Sequence, residues 1–153
     1  MMRFSTRTIY GLKAMVDLAM HESQGPIPVA AIAKRQNISV DYLEQLLHRL
    51  RQAGLVVAAR GARGGYQLRH SPSKISVADV TPLLEVQGVR RKRAVAAPVE
   101  SAAAVDQATG LLWNRIEVAV TTALATTTLA ELATEARRRH TNHTVNHTFA
   151  FHI

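Results

Sequence analysis

Between Ser39 and Leu68 the chain gathers side chains that can read a polyanion. Tyr42, Glu44, Gln45 and Arg49 stand on one segment, opened by Ser39. Arg60 and Arg63, spaced by Gly61, Gly64 and Gly65, stand on the next. A glutamine amide pairs bidentately with an adenine edge, and a guanidinium pairs with guanine or a phosphate. Tyr42 suits a base edge or a phosphate. Glu44 can accept from cytosine N4, or repel phosphate and so sharpen selection. Arg60 and Arg63 suit phosphate or minor groove, and glycines without a Cβ allow close backbone approach. Taken singly, these residues also fit a solvated helix face and an ordinary hairpin. Their adjacency favours double-stranded DNA.

The elements that must hold these side chains follow from periodicity. Leu43, Leu46, Leu47 and Leu50 recur at helical spacing and predict a buried stripe. That leaves Asp41, Tyr42, Gln45, Arg49 and Gln52 outside, with Glu44 and His48 on the flanks. Ser39 is a suitable N-cap, and Gly54 a stop. Val56-Val57 and Tyr66-Gln67-Leu68 are β-prone and flank the glycine-rich stretch, which predicts a hairpin. Upstream, Ser5 or Thr6 caps a first helix to about His21, with Leu12, Met15, Val16 and Ala19 inward. Gly25-Pro26-Ile27-Pro28 ends it in an extended turn. Val29 to Arg35 is a short second helix with Ile32 inward, and Asn37 tolerates a left-handed turn. Three helices and a two-stranded ribbon make a winged helix-turn-helix.

Charge agrees with a polyanion partner. The 153 residues carry a formal net charge of +8. Residues 1 to 82 hold 11 Lys and Arg against 5 Asp and Glu, whereas residues 83 to 153 hold 8 against 6. The positive field therefore belongs mostly to the helix-and-ribbon segment. No apolar run is long enough to span a bilayer, and the N-terminus does not resemble a secretory signal. With no cysteine there is no disulfide and no thiol chemistry. The expected location is the cytoplasm. Catalysis finds no support: carboxylates are scattered, histidines cluster at the end, and no serine or lysine has an evident activating partner. The glycine-rich stretch lacks the Lys-Ser/Thr ending of a Walker loop.

Ser76 to Asp79 opens a fourth helix through about Leu84. Residues 86 to 107, with Arg90-Arg91-Lys92-Arg93 and an alanine-rich run, read as a mobile loop. The basic run either adds non-specific DNA affinity or is merely solvated. A long helix from about Asp106 to Ala125 carries Leu112, Ile116, Val120 and Leu124 every four residues, with Trp113 beside them. Such a stripe needs a second copy, in an antiparallel or crossed dimer. Thr128 to Glu131 starts a last short helix. Beyond Arg139 the chain reads as a fraying tail; a metal trap built from His140, His143 and His147 is the less favoured alternative.

Three stretches carry a resemblance. Met2 to Met15, then Tyr42-Leu-Glu-Gln-Leu-Leu with Leu50-Arg-Gln-Ala-Gly-Leu-Val, then Arg60-Gly-Ala-Arg-Gly-Gly-Tyr, resemble the Rrf2 family of bacterial transcription regulators (the IscR, NsrR and CymR type). The similarity runs from residue 2 to about 136, and Leu112-Trp113 and Thr127 to Leu132 match the family's dimerisation end. The resemblance implies a homodimer on a palindromic operator that represses or activates nearby genes. Members that bind an iron–sulfur cluster carry three cysteines in the loop before the long helix. Those would fall near Ala94, within 100–103 and within 104–107, and none is present here. Thiolates are the main cluster ligands, so no cofactor and no metal are expected. Either the chain belongs to a cysteine-free branch or the cysteines have been replaced.

The expected architecture is mainly α with a small β-wing. Residues 1–85 form the winged helix-turn-helix, 86–107 a flexible effector-type loop, 108–136 the dimerisation helices and 137–153 a disordered tail. The expected function is a homodimeric, sequence-specific transcription regulator, with repression the favoured sign. The competing expectations are an iron–sulfur or redox sensor in a cluster-less form, and an adaptor that regulates an enzyme by docking to it.

Overall fold

A computed structural model describes residues 4–85 and 100–148, with side chains described over 4–85 and 105–141. Six α-helices and one hairpin follow in the order α1 (Thr6–Met20), α2 (Val29–Gln36), α3 (Val40–Gln52), β1 (Val56–Ala59), β2 (Gly65–Leu68), α4 (Val77–Leu84), α5 (Glu100–Thr126) and α6 (Leu129–Thr148). Single 3₁₀ turns sit at Glu22–Gln24 and Pro72–Lys74. The chain is mostly helical with a small antiparallel ribbon, a winged helix-turn-helix.

The core is built where periodicity predicts. Met15 and Leu18 of α1, Ile32 of α2, Leu43, Leu46, Leu47 and Leu50 of α3, and Val80 and Leu84 of α4 are fully buried together. Leu12 and Val16 pack half-buried against them. Local capping fixes the helix ends. Ser5 Oγ accepts from the Thr8 amide at 3.2 Å at the start of α1. Asn37 takes the left-handed conformation at φ 54° and ψ 52°, which turns the chain between α2 and α3. Gly54 adopts φ +77° just past α3, a conformation that a side chain would resist. Ser39 occupies the N-cap of α3, but its hydroxyl makes no capping bond, contrary to the expectation from its type.

The hairpin pairs Val56 with Leu68, Val57 with Gln67, Ala58 with Tyr66 and Ala59 with Gly65. It has a third, one-residue rung that local reasoning did not supply. Ile27 N donates to Tyr66 O and Tyr66 N to Ile27 O, both at 2.8 Å. The proline-flanked segment at 25–28 is thus an anchor for the wing as well as a helix stop.

The second half departs most from expectation. Residues 86–99 lie outside the described residues, and with them Arg90 to Arg93 and most of the expected loop. Residues 100–107, assigned to that loop, are instead the first turns of α5. Alanine-rich sequence has high helix propensity, which explains the earlier start. The last helix is not short, because α6 continues to Thr148 through residues expected to be a disordered tail. Its first turns also do not stand apart with α5. Leu129 and Ala133 are buried in the core of the winged unit. Val77 N donates to Thr127 O and Leu129 N to Ile75 O, both at 2.9 Å, lacing the starts of α4 and α6 together. Each start carries a capping box, Ser76 with Asp79 and Thr128 with Glu131. The packing boundary therefore does not fall at residue 85: α6 completes the winged unit and α5 projects from it.

Candidate nucleic-acid interface

The site is built by turning α3 over. With its four leucines buried, the helix shows Asp41, Glu44, Gln45, His48, Arg49 and Gln52 to solvent. Glu44, Gln45, His48, Arg49 and Gln52 line an open cleft of about 680 Å³, closed on its far side by Tyr66 of the wing. The reading helix and the ribbon therefore share one polar concavity. The side chains at its floor offer both donors and acceptors, the mixture that base edges require.

Tyr42 lies at the edge of this surface rather than on it. It is half-buried, and its ring meets Tyr10 edge-on at 6.1 Å between centroids with an 83° interplanar angle. Lys13 Nζ lies 5.5 Å over the Tyr10 ring. Such edge-to-face packing holds a ring in one orientation, so Tyr42 is pre-set rather than mobile. Ser39 is exposed at the N-terminus of α3, where backbone amides and the helix dipole favour a phosphate.

The wing tip is a turn in which Gly64 N donates to Gly61 O at 2.9 Å. Arg60 precedes it and Arg63 lies within it, both exposed. The glycines divide by role. Around Gly61 the space is open, but its φ of +101° is one that a side chain would resist, so the turn also favours glycine there. At Gly65 a Cβ would overlap the Ile27 carbonyl, and at Gly64 it would press on the Ala59 carbonyl. Those two glycines are needed by the fold itself, to seat the Ile27 rung and close the turn. The expectation that all three serve the ligand is corrected to that extent.

His48 is the residue that sequence reasoning left at the margin. It lines the cleft, and Arg51 Nη2 donates to its Nδ1 at 3.4 Å. The signal was present in the sequence. Positions 44, 45, 48, 49 and 52 lie on one helical face opposite the leucines.

One ion pair fixes how the end of α2 sits on α1. Asp17, 2% exposed, accepts from Arg35 Nε at 2.9 Å, Arg35 Nη2 at 2.6 Å and Gln36 Nε2 at 3.0 Å. Hydrogen bonding to Asp17 holds the Arg35 guanidinium above its usual pKa. Arg35 and Gln36 directly precede the turn into α3, so this network orients the reading helix.

The residues expected at a dimer seam lie apart from this surface. Leu112 and Trp113 are 55% and 66% exposed, and Ile116 is also exposed, with Val120 and Leu124 half-buried. Leu111 and Val118 are exposed too, so the apolar surface of α5 is wider than one stripe.

A helix-turn-helix whose second helix, α3, shows a polar face beside a cationic wing defines a DNA-binding transcription regulator. The particular family follows from comparison. Residues 4–135 match the Rrf2 family, described as iron-dependent transcriptional regulator. The chain is 40% identical over 136 residues to the Synechocystis protein "Putative HTH-type transcriptional regulator slr0846", covering 89% of this chain and 90% of that one. It is 41% identical over 132 residues to the Bacillus subtilis regulator CymR, covering 86% and 90%. The solved structure of B. subtilis CymR, the global cysteine regulator, superposes with a TM-score of 0.72 at 39% identity, over 88% of this chain and 98% of that one. That of T. potens IscR superposes with a TM-score of 0.68 at 36% identity, over 88% of each. The chain belongs to the Rrf2 family. It is a DNA-binding regulator and not an enzyme.

Proposed function

We propose that two copies pair through α5 and bind a palindromic operator in the cytoplasm, repressing the genes beside it by occupying the site. The observation that carries this reading is the shared cleft between α3 and the wing, lined by Gln45, His48 and Arg49. Paired copies would set two such helices into successive major grooves, about 34 Å apart, with the wings over flanking DNA. The exposed apolar side chains of α5 supply the pairing surface, since a helix of that composition gains by burial against a second copy. Selection would come from Gln45, Arg49 and Glu44. Salt-dependent affinity would come from Arg60, Arg63 and the basic surplus.

We also infer that regulation here does not run through an iron–sulfur cluster. The donor set does not fit one. The positions at 100–103 and 104–107 offer oxygen donors such as Glu100 and Asp106 but no thiolate, and the chain has no cysteine anywhere.

Operator binding of two variants tests the interface. Gln45→Ala should relax preference at one base pair by about 1–3 kcal/mol. Arg63→Ala should weaken all sequences alike and reduce the salt slope by about 1. Equal, sequence-independent losses for both variants would contradict the assignment. So would a protein that remains monomeric at every concentration at which it binds DNA.

A further inference from the structure

A second cleft, of about 630 Å³, opens on another part of the molecule, between the ends of α1 and α2 and the middle of α6. Its lining includes Arg35, Gln36, Arg137, His140, Gln24 and Thr141. Its volume falls in the range of small-molecule sites.

Three features of the cleft point to one ligand chemistry. Two guanidinium groups reach it from different elements, and each is pinned along one edge. Arg137 Nη2 donates to the carbonyls of Ala19 at 2.9 Å and Met20 at 3.0 Å. Arg35 is forked onto Asp17. A guanidinium has five N–H donors, so each keeps donors beyond those the fold uses. Second, Asp17 is the only carboxylate in the lining among the described residues, and both its oxygens are already taken by Arg35 and Gln36. Third, carbonyls at the C-terminal end of α1, which would repel an anion, are covered. Arg137 occupies those of Ala19 and Met20, and His21 Nδ1 donates to that of Asp17 at 2.7 Å. What remains is a recess of mixed polar and apolar surface with two pre-oriented cationic forks.

We propose that this cleft binds a small multivalent oxyanion, a carboxylate- or phosphate-bearing metabolite, held between Arg35 and Arg137. Such a ligand would tie α6 to the last residues of α2. Those residues lead through Asn37 directly into the reading helix, so an occupant would bias the seat of α3. The binding step stands independently of the proposed operator reading, whereas its consequence for DNA rests on that reading.

Calorimetry on the full chain without DNA, with citrate in one arm and inorganic phosphate in the other, tests the site. Ionic strength is matched with KCl throughout. Saturable binding of either anion is expected, and the arm that binds identifies the chemistry. Arg137→Gln should weaken it about tenfold or more. Gln24→Glu adds a like charge from an exposed position whose side chain makes no hydrogen bond among the described residues, and should weaken it about threefold. Saturating anion should then shift operator affinity in the native chain and not in Arg137→Gln. No saturable binding in either arm, or equal binding in native chain and both variants, overturns the site. Anion binding that follows the variants without changing operator affinity would retain the site and overturn its link to α3.

Discussion

α3 and α5 are both helices with apolar residues at helical spacing, and they end in opposite states. The leucines of α3 are fully buried by α1, α2, α4 and the wing, so its polar face is what the molecule displays. The apolar residues of α5 are largely exposed, because the core has closed around α6 without needing them. One helix is completed by its own chain and can read a ligand. The other is left unfinished, and its surface is suited to a second copy. Helical periodicity shows that a face will be covered; it does not say by what.

The sharpest way to break this contrast is to charge the unfinished face. Ile116→Asp should abolish pairing in sedimentation experiments while leaving the helical circular dichroism of the winged unit intact. Operator affinity should then fall by about a hundredfold or more, as bivalent binding becomes monovalent. A variant that still pairs would remove α5 as the interface.

Next in size is the paired truncation of one leucine from each helix. Leu47→Ala should cost about 3 kcal/mol in urea unfolding, from lost transfer energy and the cavity left behind. Leu112→Ala, measured in the Ile116→Asp background, should stay within about 0.5 kcal/mol. Comparable losses would mean that α5 is already packed within a single chain.

The smallest effect marks where the completed unit ends. Glu85, at the end of α4, accepts from the Ser5 amide at 2.9 Å, far across the sequence. Hydrogen bonds from the Thr8 hydroxyl and then the Ser5 amide hold its carboxyl below the ordinary range. A carboxyl with a lowered folded pKa stabilises the fold fully above its unfolded value of about 4.3 and loses that contribution as pH falls through the lower folded value. Glu85→Gln should therefore cost about 1 kcal/mol at pH 7, the scale of a helix cap. The melting temperatures of native chain and variant should converge as pH drops below about 4. A gap that stays constant down to pH 3 would show that Glu85 acts through packing and not through its charge.

Much of the fold and the candidate site was legible without coordinates. The leucine spacing of α3, Asn37 in the turn, Gly54 after the helix and the capping boxes at Ser76 and Thr128 are local signals, and each holds in the structure. The exposed polar face of α3 followed by subtraction from the buried stripe. His48 was set on the flank although it shares a helical face with Glu44, Gln45, Arg49 and Gln52; that this face borders Tyr66 shows only in the folded hairpin. Gly65 looked like a partner contact because nothing local shows that the Ile27 backbone will occupy the space above it, and Gly64 did because the closure of its own turn onto the Ala59 carbonyl shows only in the folded hairpin. The extents of α5 and α6 were missed because alanine, threonine and histidine give weak boundaries, and the docking of α6 is decided elsewhere.

By itself the sequence determined which segments are helical or extended, which faces are apolar and where the cationic tip falls, because these depend on residues within a turn or two of one another. Only the tertiary structure decided that Ile27 braces the wing, that Arg137 caps α1 while α6 closes the core, and that Asp17 aims α3 through Arg35. Each of these joins groups many residues apart. Their pairing is set by which surfaces meet when the core closes, a property of the whole chain that no local window contains.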